Sequence, residues 1–217
     1  MAIKGYLIHN LIHQDVPFFR NQIKGWVNAF KLEKVNLKTI DNLHALDVIK
    51  KEKVDFVLFW DKDLALMYQL LNLGIKVFNN VEAVRLCDDK GLTDAMLVKN
   101  KIAVPNTLVM PLTFYQNGLE HFSLIKKKMN EHHLHYPLIV KERCSSLGLG
   151  VYLVHNDNEL KKLFKKQWDK HLLIQEYIDN EPGKDYRVYL INHRPKIALT
   201  RVNKKDFRSN VHQGGKM

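Results

Sequence analysis

The chain has 217 residues, of which 46% are apolar and 26% are charged, ordinary values for a globular protein of one large or two small domains. No stretch approaches the roughly 18 consecutive apolar residues of a membrane-spanning helix, and residues 1–10 lack the layout of a secretion signal. We therefore expect a cytoplasmic protein with no membrane partner. The two cysteines, Cys87 and Cys144, lie far apart and not in a CxxC pair, so neither a disulfide framework nor a thiolate zinc site is expected.

The net charge of +11 would suit nucleic acid, an anionic membrane surface, a polyphosphate or an acidic substrate as partner. Lysines are concentrated in two helix-like segments, 126–128 and 161–166. In the second segment Leu160 and Phe164 have the spacing of a buried helix face, which places the lysines on the opposite face. A solvated helix face is the ordinary interpretation of these lysines, and contact with nucleic acid is the alternative.

The first hundred residues alternate strand-like and helix-like segments, which indicates an open parallel α/β sheet. The run 54–60 is almost continuously apolar, as is typical of a parallel strand covered on both faces. We expect strands at 6–8, 35–40, 54–60 and 77–78, and helices at 18–30, 43–51 and about 64–71.

The pattern changes after a helix expected at 90–101, which ends before Pro105. Strands become more frequent, and this indicates an α+β region with antiparallel pairs. The expected strands are 107–110, 137–141, 151–154, 172–177, 186–191 and 196–202, with helices at 159–168 and about 119–132. A domain boundary is expected between residues 80 and 105.

The segment with the clearest chemistry begins with the apolar strand 137–141, which ends in Lys141. A lysine at the end of a buried strand needs an anionic partner, because an unpaired ammonium is costly to bury. The loop 144–150, Cys-Ser-Ser-Leu-Gly-Leu-Gly, follows, and its small residues would let backbone N–H groups approach a phosphate. By itself, this loop could equally be an ordinary hairpin connection.

Further along the chain, Gln175-Glu176-Tyr177-Ile178 precedes Gly183-Lys184-Asp185-Tyr186-Arg187. The chain then continues to Arg201 and to residues 206–215, Asp-Phe-Arg-Ser-Asn-Val-His-Gln-Gly-Gly. Arginines beside a Gly-Gly loop suit the clamping of phosphate or carboxylate oxygens. Surface ion pairs are the ordinary alternative for each arginine.

The order of these segments resembles the RimK-like branch of the ATP-grasp superfamily of carboxylate–amine ligases. Upstream, Asp89-Lys90-x-x-Thr93 resembles the helix at the start of the family's ATP-grasp domain, and the residues around Pro105 resemble the strand that follows this helix. The resemblance implies an open parallel α/β pre-ATP-grasp domain at 1–85, followed by α+β ATP-grasp subdomains at 86–217. The central lid subdomain would span about 105–175, and the last subdomain would be incomplete.

The resemblance also implies roles for individual residues. Lys90 and Lys141 would contact the phosphates of ATP, and the loop carrying Ser145, Ser146, Gly148 and Gly150 would fold over them. Glu176 and Tyr177 would lie at the adenine, and Asp185 would accept hydrogen bonds from the ribose hydroxyls. Arg187 and Arg201 would face the acyl phosphate or the substrate carboxylate, and Arg208, Ser209 and Asn210 would lie at the nucleotide and substrate end of the site. The candidate catalytic residues are the three arginines, Arg187, Arg201 and Arg208.

The implied reaction is a two-step ligation with ATP and Mg²⁺ as cofactors. A carboxylate of a peptide, protein terminus or cofactor is phosphorylated by ATP, and an amino acid of the glutamate type then displaces phosphate to form an amide. Lysine, arginine and Mg²⁺ would stabilise the charge on the transferred oxygens, so no protein nucleophile is needed. His212 is the histidine expected nearest the substrate. The histidines at 132, 133 and 135 could bind a metal ion, but they lie at a polar helix end, and a metal site there is not the favoured interpretation.

The family's acidic magnesium ligands, an Asp and a Glu-x-Asn pair, have no matching position before Met217. We expect these ligands beyond Met217, and the residues up to Met217 to have little ligase activity alone. Two other functions remain open: an inactive ATP-binding remnant, and a basic RNA- or ribosome-associated module, although nucleic acid is the less favoured partner. A homo-oligomer is also open.

Overall fold

The computed structural model describes residues 3–112 and 118–217, so five residues of the expected lid subdomain, 113–117, lie outside the described part. The chain divides into two compact units, one up to Asp88 and the other from Asp89 onward. Among the helices of the described residues, none is both long and apolar enough to cross a membrane.

The first unit contains a four-stranded sheet between two layers of helices. Its elements in chain order are β1 (Lys4–His9), α1 (Pro17–Leu32), β2 (Asn36–Asp41), α2 (Ala45–Lys51), β3 (Phe56–Trp60), α3 (Leu64–Asn72), β4 (Val77–Phe78) and α4 (Val81–Asp88), with a 3-10 turn at Leu11–Gln14. The strands are parallel and have the order β2-β1-β3-β4. This topology confirms the open parallel α/β sheet expected from the sequence.

Both faces of this sheet are covered because successive strand residues point to opposite sides. Ile8 and Phe59 pack with α2, α3 and α4 in the larger of the two cores. Leu7 and Leu37 pack on the other face against α1, whose Ile23 is buried there. The continuous apolar run in β3 therefore reflects a strand that contributes to two cores.

The second unit contains a four-stranded antiparallel sheet and a separate hairpin. Its elements are α5 (Lys90–Lys99), β5 (Thr107–Val109), α6 (Phe122–Glu131), β6 (Leu138–Glu142), β7 (Val151–Val154), α7 (Asp157–Lys166), β8 (Leu172–Glu176), β9 (Lys184–Ile191) and β10 (Arg194–Val202), with 3-10 turns at Gly118–His121 and Val211–Gln213. The sheet has the order β5-β8-β6-β7, and β9 pairs with β10. The expected change from parallel to antiparallel pairing is thus confirmed.

One face of the antiparallel sheet is covered by α6 and α7. Val140 and Ile174 from the strands meet Met129 of α6 and Leu160 of α7 in a single core. Since Leu160 is buried there, the lysines of α7 lie on its exposed side, as the sequence predicted. The opposite face of the sheet carries Lys141 and belongs to the candidate site.

One helix was missed at the sequence level. Val81–Asp88 forms α4, which is not among the predicted helices. Its first turn is capped by Asn80, whose Oδ1 accepts the N–H of Ala83 over 3.1 Å. An Asn directly before a helix is a recognisable start signal, and Val81 buries itself against the core of the first unit.

Candidate active site

Lys141 lies near the end of β6, on the sheet face that α6 and α7 leave uncovered. Its Nζ donates a hydrogen bond to Oε1 of Gln175 on the neighbouring strand β8. Gln175 Nε2 donates in turn to Thr107 Oγ1 on β5, over 2.9 Å. A polar line therefore crosses three strands in a sheet whose other face is apolar.

Lys90 is the first residue of α5 and lies close to the loop after β6. Its Nζ donates to the backbone oxygen and the Oγ of Ser145, over 2.8 and 2.9 Å. Its backbone N–H donates to Arg143 O over 3.0 Å. These contacts bring together Lys90 and Ser145, two residues that the sequence had predicted to share a phosphate site.

The two lysines influence each other electrostatically. Burial lowers the pKa of the Lys141 ammonium below its ordinary value, the positive charge of Lys90 lowers it further, and Asp94 opposes the shift. Two positive charges that act on each other raise the free energy of the site unless an anion lies between or beside them. The pair is therefore suited to a phosphate or carboxylate group.

The loop 144–150, which we call the glycine loop, connects β6 to β7 as an antiparallel hairpin. The hairpin interpretation and the phosphate-loop interpretation are therefore compatible. Gly148 has a φ of +78°, and a Cβ at this position would lie 2.7 Å from Asn210 Oδ1. The loop thus needs glycine at 148 both for its backbone conformation and for its approach to Asn210.

Residues 203–215, which we call the C-terminal loop, are organised by Asn203 and Asp206. Asn203 is buried, and its Nδ2 donates to the backbone oxygens of Arg208 and Gln213 over 3.0 and 2.9 Å. Asp206 accepts two hydrogen bonds from the guanidinium of Arg208, over 3.0 and 2.7 Å. Arg208 Nη1 then donates to Gly148 O over 3.1 Å, so the C-terminal loop holds the glycine loop directly.

Asp185 and Arg201 face each other across the β9–β10 hairpin. Arg201 Nε donates to Asp185 Oδ1 over 2.7 Å, and Nη2 donates to Oδ2. The hydrogen bonds from Arg201 hold the pKa of Asp185 below its usual value against the opposing effect of burial, and Ser209 adds a further hydrogen bond. Arg187 lies two residues from Asp185 on the same face of the hairpin and is exposed.

Glu176 is the last residue of β8, next to the start of β5, and Tyr177 follows it. The carboxylate of Glu176 accepts the backbone N–H of Asn106 over 2.8 Å, and the Glu176 N–H donates to Asn106 O over 3.0 Å. The ring of Tyr177 meets Phe207 edge to face, with 6.3 Å between centroids. Glu176 is therefore engaged with Asn106 through both its carboxylate and its backbone N–H.

Three structural contributors were not among the predicted site residues. Asp89 caps α5, Arg143 forms an ion pair with Asp89, and Gln175 holds Lys141. The position of Asp89 directly before a helix was a usable cap signal. Arg143 had no such signal, because its partner lies 54 residues away in sequence.

The described residues contain no group of three or more His, Cys, Asp or Glu side chains that could hold a metal ion. The donor set around Lys90 and Lys141 is cationic, so these residues fit an anion and not Mg²⁺.

The family of the chain follows from comparison with known proteins. Residues 87–217 match the model of the RimK-like ATP-grasp domain. The chain is 28% identical to the uncharacterized protein MG012 of Mycoplasma genitalium, over 97% of this chain and 75% of that protein. It is also 28% identical to the coenzyme gamma-F420-2:alpha-L-glutamate ligase of Methanocaldococcus jannaschii, over 72% of this chain and 53% of the ligase.

Solved structures agree on the fold. The D-alanine–D-alanine ligase of Bacillus anthracis in complex with ATP superimposes with a TM-score of 0.61 at 19% identity, over 94% of this chain and 72% of that one. The fold is that of ATP-dependent ligases, and the chain belongs to the RimK-like ATP-grasp family. The predicted family is confirmed, and relatives named as ligases support the predicted enzyme class, ATP-dependent carbon–nitrogen ligation between a carboxylate and an amine.

Proposed function

We propose that this protein joins an amino acid of the glutamate type to the carboxylate of a peptide, protein terminus or cofactor at the expense of ATP. The glutamate preference is supported by the alpha-L-glutamate ligases among its relatives. The chain spans about half the length of these two ligases, so their activity comes to this protein only as a proposal. The observation that carries the proposal is the pair of lysines, Lys90 and Lys141, beside the glycine loop.

In the first step, a substrate carboxylate oxygen attacks the γ-phosphorus of ATP, and ADP leaves with the electron pair of the broken P–O bond. We assign Lys90 and Lys141 to the phosphate oxygens, where their charges stabilise the transferring group. Ser145, Ser146, Gly148 and Gly150 would cover the phosphates from the loop. Mg²⁺ is the second proposed cofactor, and with ATP its charge would offset that of the phosphates.

In the second step, the amine attacks the acyl carbon, and phosphate leaves with the electron pair of the broken C–O bond. The nitrogen loses one proton to the leaving phosphate or to water, and the amide is formed. We assign Arg187, Arg201 and Arg208 to the oxygens that carry charge in this step, with Ser209 and Asn210 at the same end of the site. Arg201 is oriented by its two-point contact with Asp185. Asp185 accepts two hydrogen bonds from Arg201 and one from Ser209, which leaves one of its about four lone-pair sites for a ribose hydroxyl.

The adenine is proposed to lie against the end of β8. Glu176 would contribute its backbone oxygen, since its N–H already donates to Asn106 O. Tyr177 would contribute its ring, which packs edge to face with Phe207. We further propose the unit from Asp89 onward as the ATP-grasp domain and the preceding unit as the pre-ATP-grasp domain. Since ATP is supplied in the cytoplasm, we place the reaction there.

The test is a thermal-shift titration of the protein with Mg-ATP, Mg-GTP and RNA, repeated for Lys141→Ala and for Lys162→Ala. The second variant removes the same charge from the exposed side of α7. We expect stabilisation by ATP in the wild type and in Lys162→Ala, and its loss in Lys141→Ala. Stabilisation by RNA alone, weakened by salt and equal in all three proteins, would support the basic RNA-associated module instead.

Ligation itself is tested by phosphate release from ATP with glutamate and candidate carboxylate acceptors. Phosphate release that requires both glutamate and an acceptor, and that disappears in Lys141→Ala, supports the proposed reaction. ATP binding without phosphate release for any pair would identify an ATP-binding protein without ligase activity.

A further inference from the structure

The polar line on the antiparallel sheet has a regular geometric basis. Thr107 on β5 is directly opposite Gln175 on β8, and Ile139 on β6 is opposite Gln175 on its other side. Lys141 lies two residues beyond Ile139 and therefore on the same face as Gln175. Gln175 is 8% exposed, so its amide depends on protein groups for its hydrogen bonds.

The direction of each hydrogen bond in this line is determined by chemistry. A lysine ammonium can only donate, so the Gln175 atom that faces it must be the acceptor Oε1. The amide nitrogen of Gln175 is then turned toward Thr107 Oγ1, to which it donates over 2.9 Å. The Thr107 hydroxyl has one hydrogen of its own, which it directs to Pro105 O over 2.8 Å or to Asp94 Oδ1 over 3.3 Å.

We propose that Gln175, oriented by Thr107, is a positioning residue that aims the Lys141 ammonium at the phosphates of the nucleotide without neutralising it. This inference rests on the proposed function of the site as an ATP site. The backbone at Pro105 orients Thr107, Thr107 orients the Gln175 amide, and the amide oxygen holds Lys141. These hydrogen bonds therefore restrict the position of Nζ at the end of the long, flexible Lys141 side chain.

A neutral acceptor is the important feature of this arrangement. A carboxylate at residue 175 would form an ion pair with Lys141 and compete with the phosphates for its charge. An apolar residue would leave a mostly buried ammonium without its acceptor. An amide satisfies one donor of Lys141 and leaves its charge available to an anionic ligand.

The charged groups that act on Lys141 both belong to α5. Lys90 at the start of α5 lowers the pKa of Lys141, and Asp94 on the same helix raises it, while burial is the largest effect and lowers it. ATP binding that depends on charged Lys141 should therefore weaken as pH rises, at a pH below the ordinary lysine value of 10.5. A glutamate at residue 175 raises the pKa of Lys141 and moves this loss to higher pH.

The experiment compares the wild type with Thr107→Val, Thr107→Ser and Gln175→Glu. ATP dissociation constants are measured at neutral pH and along an alkaline series. We expect Thr107→Val to weaken ATP binding about three- to tenfold, as for the loss of one hydrogen bond. Thr107→Ser keeps the hydroxyl and should bind ATP as tightly as the wild type. Gln175→Glu is expected to weaken binding at neutral pH and to move its alkaline loss to higher pH.

Tyr136→Phe is the matched control, since it removes one hydrogen bond, to Asp157 over 2.8 Å, on the helix-covered side of the sheet. It should leave ATP affinity and its pH dependence unchanged. A folded Thr107→Val that binds ATP as tightly as the wild type, or a Gln175→Glu with an unchanged alkaline loss, overturns the positioning role. A shift caused equally by Tyr136→Phe also overturns it.

A second measurement keeps the two proposals separate. The pH dependence of acylation of Lys141, followed by mass spectrometry without nucleotide, reports its titration directly. A wild type that does not bind ATP overturns the proposed ATP site, whereas acylation of Lys141 that needs higher pH in Gln175→Glu still supports the hydrogen-bonded line. Identical acylation profiles in wild type and Gln175→Glu overturn that line even where ATP binds.

Discussion

Arg143 holds both carboxylate oxygens of Asp89, with Nε 2.9 Å from Oδ1 and Nη2 2.6 Å from Oδ2. Asp89 Oδ1 also accepts the backbone N–H groups of Gly91 and Leu92, over 2.8 and 3.2 Å, and so caps α5. Since Arg143 directly follows β6 and Lys90 directly follows Asp89, this ion pair joins the helix to the sheet. It does so at the point where the lysines of the candidate site meet.

The Asp89–Arg143 pair is therefore expected to contribute both stability and site geometry. Asp89→Asn keeps a capping oxygen but removes the charge, and we expect it to lower the free energy of unfolding by about 1.5–3 kcal/mol. Asp89→Ala also removes the cap and should cost about 1 kcal/mol more. Urea unfolding of the wild type and both variants measures these differences. Unfolding midpoints that coincide for all three proteins would contradict the role of the pair.

The Asp89–Arg143 pair also predicts how the free energy of unfolding depends on pH. Burial raises the pKa of Asp89, but hydrogen bonds from Arg143 and from the Leu92 N–H outweigh it, so the folded pKa lies below the ordinary 3.8. A lowered pKa in the folded state stabilises the protein above 3.8, and this contribution is lost as pH falls through the folded value. The stability difference between wild type and Asp89→Asn should therefore shrink below that pH. A difference that stays constant into the acid range would show that the Asp89 charge has no effect.

Much of the fold could be predicted because local sequence carried the signal. The run around β3 was continuously apolar since the strand contributes to both cores of the first unit, and the spacing of Leu160 and Phe164 reported a helix with one buried face. Strands β4 and β7 have the bounds that the sequence predicted. The family resemblance depended on the same kind of contiguous residues, such as 206–215.

The site was harder to predict wherever it depends on contacts between distant segments. Arg208 was expected at the nucleotide, but nothing local indicated that Asp206 would hold its guanidinium and that Gly148 would accept a hydrogen bond from it. In the same way, Gln175 was part of a recognised motif, yet its contact with Lys141 follows only from the register of β6 and β8. Such pairings are set by the tertiary fold, which no short sequence pattern encodes.

Gly183, at the start of the β9–β10 hairpin, is predicted to resist substitution. Its φ is +71°, and an added Cβ would lie 2.2 Å from Asn203 O and 2.6 Å from Asp206 O. We expect Gly183→Ala to lower the free energy of unfolding by about 2 kcal/mol or more, through backbone strain and displacement of the C-terminal loop. Thermal unfolding measures the change.

Gly25 provides the opposite control. It is exposed within α1, and a Cβ there meets no atom within 4 Å, so Gly25→Ala should stabilise the protein by about 0.5–1 kcal/mol. The two substitutions add the same methyl group and should have effects of opposite sign. Equal effects would mean that the close approach of Gly183 to the C-terminal loop is not maintained in solution.

The contact between Arg208 and the glycine loop predicts how easily that loop opens. Arg208 Nη1 donates to Gly148 O over 3.1 Å, so Arg208→Ala removes a hydrogen bond that holds the loop. Loss of about 1 kcal/mol should raise the open population about fivefold. Leu147 and Leu149 are 52% and 53% exposed and are suitable cleavage sites for thermolysin.

Thermolysin digestion with mass-spectrometric mapping should therefore show about fivefold faster cleavage between residues 146 and 149 in Arg208→Ala than in the wild type, because cleavage follows the open population when reclosing is fast. Arg194→Ala, which removes an exposed arginine at the start of β10, is the control and should leave the cleavage rate unchanged. Equal rates in wild type and Arg208→Ala would show that the hydrogen bond does not restrain the loop. Faster cleavage at many sites in Arg208→Ala would instead indicate general unfolding, and the restraint assigned to Arg208 would then be wrong.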